Sequence, residues 1–198
     1  MGELTVVESL TLDGVMQAPG RPDEDTRGGF EHGGWAIPYA DDVMGRAMGA
    51  RMGGPGAIVL GRRTYEDLFG YWPEQKDNPY TETLNATRKY VASTTLSEPL
   101  PWENSTLLEG DAGDAVAALR EEEDHLTVIG SGELVRSLMG RGLIDEYLLL
   151  IHPLVLGSGQ RLFPDGVFAS LELVESITTD TGVVIGSYRP VKDTGNRS

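Results

Sequence analysis

The run Ala57-Ile58-Val59-Leu60 is apolar without a polar break. It stops at Gly61 and passes directly into Arg62-Arg63-Thr64-Tyr65-Glu66, a segment able to continue as a helix. A strand buried on both faces reads as such an unbroken run, and it needs helices to cover it. A second junction of the same kind is Ile129-Gly130-Ser131-Gly132-Glu133-Leu134. Helix N-termini present unpaired backbone N–H groups to anions, and small residues let a ligand approach the backbone. Arg62 and Arg63 add fixed charge at the first junction, and guanidinium groups match phosphate geometry. The pair reads either as solvated arginines at an ordinary turn or as one wall of a site for a phosphate-bearing ligand.

The remaining pattern alternates strands with helices. Residues 4–12 form a strand ended by Asp13-Gly14, and residues 17–34 form a long loop rich in Gly, Pro and acidic residues. A helix starts around Pro38-Tyr39-Ala40-Asp41-Asp42, with Val43, Met44, Ala47, Met48 and Met52 on its apolar face, and Gly53-Gly54-Pro55-Gly56 stops it. Strand 57–60, helix 63–69, a polar loop 71–79 and one helical turn over 81–86 follow. Strands 89–92 and 105–108 come next, then a helix over 111–123 capped by Asp111 or Asp114. Strand 126–129 leads into a helix carrying Leu134, Val135, Leu138 and Met139, closed by Gly140-Arg141-Gly142. Residues 146–156 read as a long strand interrupted at His152-Pro153, and 171–179 with 183–188 as a hairpin across Asp180-Thr181-Gly182. This predicts an α/β chain: a mixed, mostly parallel sheet flanked by helices, with a C-terminal antiparallel hairpin. One domain spans residues 1–190, and residues 191–198 form a flexible tail.

The chain has 198 residues, enough for a sizeable core, and a formal net charge of −15 that disfavours nucleic acid and anionic membranes as partners. It has no cysteine, so disulfide and thiolate chemistry are absent. The N-terminus lacks the basic and apolar regions of a signal peptide, and no stretch has the length of an apolar membrane span. A cytoplasmic location is the expectation.

Gly61-Arg62-Arg63-Thr64-Tyr65-Glu66 resembles the Gly-Arg-x-Thr-aromatic-Glu segment of dihydrofolate reductases, and Ile129-Gly130-Ser131-Gly132 is similar to their glycine turn. Tyr90-Val91-Ala92-Ser93-Thr94 resembles the strand that reaches the adenosine phosphate. A closer resemblance is to the riboflavin-pathway reductases, the reductase half of the deaminase-reductase proteins. Thr11-Leu12-Asp13-Gly14, Leu143-Ile144-Asp145-Glu146-Tyr147 and Pro153-Leu154-Val155-Leu156-Gly157-Ser158-Gly159 with Leu162-Phe163 match that group's motifs in order. Without cysteine, the ligands of a zinc-deaminase half cannot exist here.

The resemblance implies a dihydrofolate-reductase-like fold, NADPH as cofactor and a homodimer. It places Gly61, Arg62 and Thr64 at the cofactor phosphates, with Arg62 or Arg63 at the 2′-phosphate. Ser93 and Thr94 lie at the adenosine end, and Gly130, Ser131, Gly132, Glu133 and Leu134 under the pyrophosphate. Ser9, Val15 and Met16 approach the nicotinamide. Dihydrofolate reductases keep a carboxylate two residues after the proline of a segment like Trp35-Ala36-Ile37-Pro38-Tyr39-Ala40. That place is Ala40 here, which leaves Asp41, or else Asp13, as the candidate acid. Both also read as ordinary helix-start or turn carboxylates. Trp35, Tyr39 and Trp72 read either as rings able to stack on a flat heterocycle or as core and loop packing, the latter above all for Trp72, and Arg161, Arg46 or Arg51 either as structural or as partners of an anionic group on the substrate. His32, His125 and His152 read as surface or structural residues. The implied activity is reduction of a small heterocyclic or carbonyl/imine substrate, similar to the ribosylamino-pyrimidine reduction of riboflavin synthesis. The alternatives are a dihydrofolate or pterin reductase and a nucleotide-binding protein of the same fold without turnover.

Overall fold

The computed structural model describes residues 1–191 except 53 and 77. Eight strands form one sheet: β1 (Glu3–Thr11), β2 (Ala57–Gly61), β3 (Arg88–Ala92), β4 (Ser105–Leu108), β5 (His125–Ile129), β6 (Glu146–His152), β7 (Leu171–Thr178) and β8 (Val184–Pro190). Their order is β4-β3-β2-β5-β1-β6-β8-β7. The first six run parallel, β8 is antiparallel to β6, and β7 is antiparallel to β8. The helices are α1 (Asp42–Met52), α2 (Arg62–Tyr71), α3 (Pro79–Ala86), α4 (Ala112–Glu122) and α5 (Gly132–Gly140).

The apolar runs become the middle of the sheet because both of their faces are covered. On one face, Val116 and Leu119 of α4 and Leu134, Val135 and Leu138 of α5 pack on Leu4, Val6, Val59, Leu126 and Val128. On the other, Met44, Ala47 and Met48 of α1 pack on Val7, Leu148, Leu150 and Ile185. Beside them Tyr65 and Leu84, from α2 and α3, cover Ile58, Leu60 and Val91. All five residues of β2 are buried, as its unbroken apolar run predicts.

Several boundaries differ from the sequence reading, each for a local reason. Strand β6 stops at His152 because Pro153 has no N–H to give a ladder, and Leu154 N–H instead turns back to His152 O (2.8 Å). The helix expected from Pro38 splits in two: Ile37–Tyr39 make a short 3-10 turn, Ala40 is extended, and α1 begins at Asp42. Segment 81–86 is a full helix, α3, started by Asn78, whose side chain accepts from Tyr80 N–H. The hairpin closes where Gly182 takes φ 85° and donates to Thr179 O (3.1 Å). Of the expected tail, Val191 N–H still donates to Ser170 O (2.9 Å), and residues 192–198 lie outside the described residues, as does Gly53.

The chain-order jump places β5 between β2 and β1. Open α/β sheets hold ligands beyond the carboxyl ends of their strands at such a switch. Gly61, Ser93 and Gly130 follow or end strands at that edge. Among the described residues no helix is long and apolar enough to cross a membrane.

Candidate functional site

The two glycine junctions meet. Gly61 N–H donates to Ser131 Oγ (3.0 Å), and Thr64 Oγ1 shares a hydroxyl–hydroxyl hydrogen bond with Ser131 Oγ (2.7 Å). Ser131 is held in the left-handed region (φ 64°), as is Gly130 (φ 62°), and this aims Ser131 at the neighbouring junction instead of at its own helix. Space is tight: a Cβ on Gly61 would lie 2.3 Å from Ser131 Oγ, and one on Gly130 would lie 3.0 Å from Thr64 Oγ1.

The five helix starts fall into two groups. Asp41 accepts from Met44 N–H at α1, Asn78 caps α3, and Asp111 accepts from Gly113 and Asp114 N–H at α4. Helices α2 and α5 have no side-chain cap, since Gly61 has no side chain and Ser131 Oγ is used elsewhere. The two uncapped N-termini are the two that stand side by side at the carboxyl edge of β2 and β5. Arg62 is half-buried, paired with Glu66 one turn on (3.2 Å), and Arg63 is exposed. Glu133 is exposed in the first turn of α5, and its charge is felt by Arg27 of the long loop.

Other sequence-predicted positions are distributed around this edge. Gly132 lies against Met16: a Cβ there would meet Met16 Sδ at 3.0 Å. Leu134 is buried in the main core, so only its backbone faces the turn. Ser9 follows the last β1–β5 pair, Val7 with Ile129, and is half-buried. Val15 is fully buried with Ala18, Phe30 and Trp35, which makes it packing for the loop. Ser93 Oγ accepts from Thr95 and Leu96 N–H in its own turn, and Thr94 is exposed.

The long loop after β1 is ordered across the edge. Gln17 donates to Asp25 O and Arg27 O and accepts from Gln160 N–H (3.0 Å), and Trp35 Nε1–H donates to Gln17 O (2.7 Å). Arg21 reaches α2 through a two-pronged ion pair with Asp67, and its guanidinium lies 5.2 Å from the Tyr71 ring centroid. Glu24 accepts from Gly20 and Arg21 N–H, and burial raises its carboxyl above the usual range.

The two candidate acids are both committed acceptors. Asp13 accepts from Thr11 Oγ1 (2.6 Å), Leu156 N–H (3.2 Å) and Gly157 N–H (2.8 Å), and these bonds, Thr11 first, lower its pKa. The Leu-Asp-Gly motif is thus the structural partner of the Pro-Leu-Val-Leu-Gly motif. Arg161, exposed, donates from Nε to Asp13 O (2.9 Å) in the same arrangement. Asp41 caps α1 and accepts from Thr181 N–H (3.0 Å) and Oγ1 (3.1 Å) in the hairpin turn; bonds from Met44 and Thr181 lower its pKa to about 2. A depressed carboxyl contributes stability above its unfolded value near 3.8, and that contribution is lost as pH falls towards 2. Asp41→Ala is expected to lower the melting temperature at pH 7 and to flatten the loss of stability on acidification from pH 4 to 2, read by circular dichroism. Unchanged acid sensitivity would contradict it.

On the α1 face, the rings of Trp35 and Tyr39 meet His152 edge-on at 5.0 and 5.5 Å. His152 Nδ1 contacts Leu150 O (2.9 Å) and Leu10 O (3.2 Å); both are carbonyls, so Nδ1 carries the hydrogen, and burial lowers the pKa. The structure brings Trp35 and Tyr39 together, with His152 between them. It places Arg51 elsewhere, paired with Glu146 (2.8 Å) and Glu175 (3.0 Å).

Glu8 escaped the sequence reading. It is the only carboxylate inside β1's buried stretch, 5% exposed, and its Oε1 has no hydrogen-bond partner among the described residues. Burial, with the negative charge of Glu24 added, pushes its carboxyl up to about 8. A signal was present: Leu4, Val6 and Leu10 share Glu8's strand parity, so a carboxylate sits on an inward face.

Among the described residues no group of His, Asp and Glu is placed to hold a metal. The chain is 31% identical over 135 residues to the uncharacterized protein YyaP of Bacillus subtilis (strain 168), covering 64% of this chain and 70% of that protein. YwjB of the same organism is 30% identical over 110 residues, covering 54% and 57%. The fold is shared with a crystal structure of a Shewanella sp. PV-4 protein named for riboflavin biosynthesis: TM-score 0.69, 22% identity, 96% of this chain and 99% of that one. It is shared also with a pyrimidine reductase-like protein of Corynebacterium diphtheriae NCTC: TM-score 0.65, 15% identity, 97% and 93%. Residues 3–185, from the start of β1 into β8, match the RibD C-terminal domain family. With the ordered motifs, the sheet order and this match in agreement, the chain belongs to the RibD C-terminal domain family.

Proposed function

We propose that this protein is an NADPH-dependent reductase that transfers hydride to a small heterocyclic or carbonyl/imine substrate, of the kind reduced in riboflavin synthesis. The observation that carries the reading is the pair of uncapped helix N-termini at adjacent parallel strands, locked together by Ser131 Oγ. Neither helix start is capped by a side chain, so first-turn backbone N–H groups of α2 and α5 can serve an anion, and the glycines let the two turns close against each other. The residues present fit a dinucleotide: Gly61, Thr64 and the 130–132 turn would take the pyrophosphate, and Arg62 or Arg63 the 2′-phosphate. When bound, the cofactor supplies the hydride. The chain's own part is to hold the dinucleotide at this edge, to present substrate from the Trp35–Tyr39–His152 side, and to exclude water with the loop tied down by Arg21 and Asp67. The reading includes a cytoplasmic homodimer; the outer strand β7 exposes Leu173, Val174 and Ile177, an edge open to a second copy, and light scattering would report the mass.

Fluorescence titration with NADPH and NADH tests this. Tighter binding of NADPH is expected, with the preference falling about tenfold or more in Arg62→Ala/Arg63→Ala, since charge-assisted contacts are worth roughly 1.5–3 kcal/mol. Absence of binding by either nucleotide at micromolar concentration would sink the reading. One observation favours a second reading, nucleotide binding without turnover: both sequence-predicted acids are held as ionised structural acceptors. NADPH that binds without being oxidised by any pyrimidine, pterin or imine acceptor would favour it.

A further inference from the structure

Strand β1 pairs with β6 along Thr5–Thr11 but with β5 only along Glu3–Val7. From Glu8 onward the two central strands part, and β5 leaves the sheet through Gly130-Ser131-Gly132. Glu8 is therefore the first β1 residue without a β5 partner, level with the start of that turn. Alternation sets it with Val6 and Leu10 on the face that α5 covers. Every neighbour of this parity is Val or Leu, so an apolar side chain would serve packing here. A buried carboxyl whose Oε1 lacks a partner is instead destabilising, and a native fold keeps one where something else completes it.

We propose that Glu8 is a ligand-contacting residue of this crevice, its carboxyl pairing with the carboxamide of the nicotinamide ring; the proposal rests on the NADPH reading above. An un-ionised carboxyl presents an O–H donor beside a C=O acceptor, and a primary carboxamide presents the complementary acceptor and donor. Glu8 holds its proton at neutral pH, because burial and the Glu24 charge oppose ionisation. The elements around it carry charged groups, among them Arg21, Glu24 and Arg27 of the loop and Glu133 and Arg136 of α5. Of these, Glu24 is the one whose charge acts on Glu8. On this reading the two faces of the sheet would separate the cofactor from the substrate. Glu8 lies on the α5 face beside the 130–132 turn, whereas Trp35, Tyr39 and His152 gather towards the α1 face.

The test compares NADPH with 2′-phospho-ADP-ribose, which lacks the nicotinamide, in titrations from pH 6 to 9.5. For the parent protein, NADPH affinity is expected to fall about tenfold as Glu8 ionises, one hydrogen bond's worth, while the fragment shows no such fall. Glu8→Gln keeps a donor beside an acceptor, so it should bind NADPH within about threefold of the parent at pH 7 and lose the pH dependence. Glu8→Leu should bind NADPH about tenfold more weakly at pH 7 and the fragment normally. An equal pH slope in parent and Glu8→Gln, or an equal effect of Glu8→Leu on both ligands, overturns the role of Glu8 while leaving the NADPH site in place. Failure of the parent to bind either ligand removes the NADPH reading, and this one with it.

Discussion

Glu8→Gln is expected to gain stability relative to the parent protein as pH rises from 4.5 to 8, by on the order of 4 kcal/mol across that window. The sign follows from where the proton is held. The Glu8 carboxyl titrates near 4.5 in the unfolded chain and at about 8 in the fold. Below pH 4.5 both states carry the proton and the group is neutral in each. Between the two values the unfolded state releases its proton and the native state keeps it, so each pH unit favours unfolding by roughly 1.4 kcal/mol. Above about 8 both are ionised and the difference is constant. Glutamine does not titrate, so its variant lacks this slope. Its own buried amide adds an offset that does not vary with pH. Urea unfolding of both proteins at pH 5, 6, 7 and 8 measures the difference directly. A difference that stays constant across that range would show that Glu8 titrates normally and that its burial exacts no penalty.

Gly61→Ala is expected to lower stability by about 1–3 kcal/mol and to weaken NADPH binding by about tenfold or more. Gly61 has an ordinary extended backbone (φ −78°, ψ 160°), so the effect is not conformational strain at that residue. It comes from the added Cβ, 2.3 Å from Ser131 Oγ and 2.6 Å from Ser131 Cβ. The only relief is to push the β5–α5 turn away from β2, which breaks the Gly61–Ser131 and Thr64–Ser131 hydrogen bonds and separates the two helix starts. Because the obstructing atoms belong to one side chain, Ser131→Gly should restore much of the lost stability in the double variant. Ser131 already occupies the left-handed region, which glycine adopts freely. Residues in contact are expected to couple. Additive losses in the two single variants and the double variant would mean that Gly61 is needed for some other reason.

Much of this architecture was legible locally. Unbroken apolar runs such as Ala57–Leu60 identify strands covered on both faces, and glycine after each run marks the turn into a helix. Asp111 was recognisable as a cap because a capping bond spans two or three residues. The junctions at Gly61 and Gly130 could be paired as one site because the open-sheet rule relates strand ends to ligands. What could not be read locally was the use to which polar groups are put. Asp41 and Asp13 are carboxylates near a predicted crevice, yet their oxygens are taken by N–H groups from Thr181 and from Leu156 and Gly157, more than a hundred residues away in the chain. Helix α3 and the end of β6 were misjudged by a few residues, since capping by Asn78 and the missing N–H of Pro153 decide those ends.

The sequence by itself determined the α/β class, the two strand–glycine–helix junctions, the C-terminal hairpin and, through the ordered motifs, the family. These depend on periodicity, turn chemistry and residue order, all of which act between near neighbours. The tertiary structure alone decided the strand order that sets β5 between β2 and β1, the hydroxyl bridge that joins the two junctions, and the parting of β1 from β5 at Glu8. It also decided which carboxyl keeps its proton. Burial and the charge of a loop residue act through space, and no spacing along the chain encodes them.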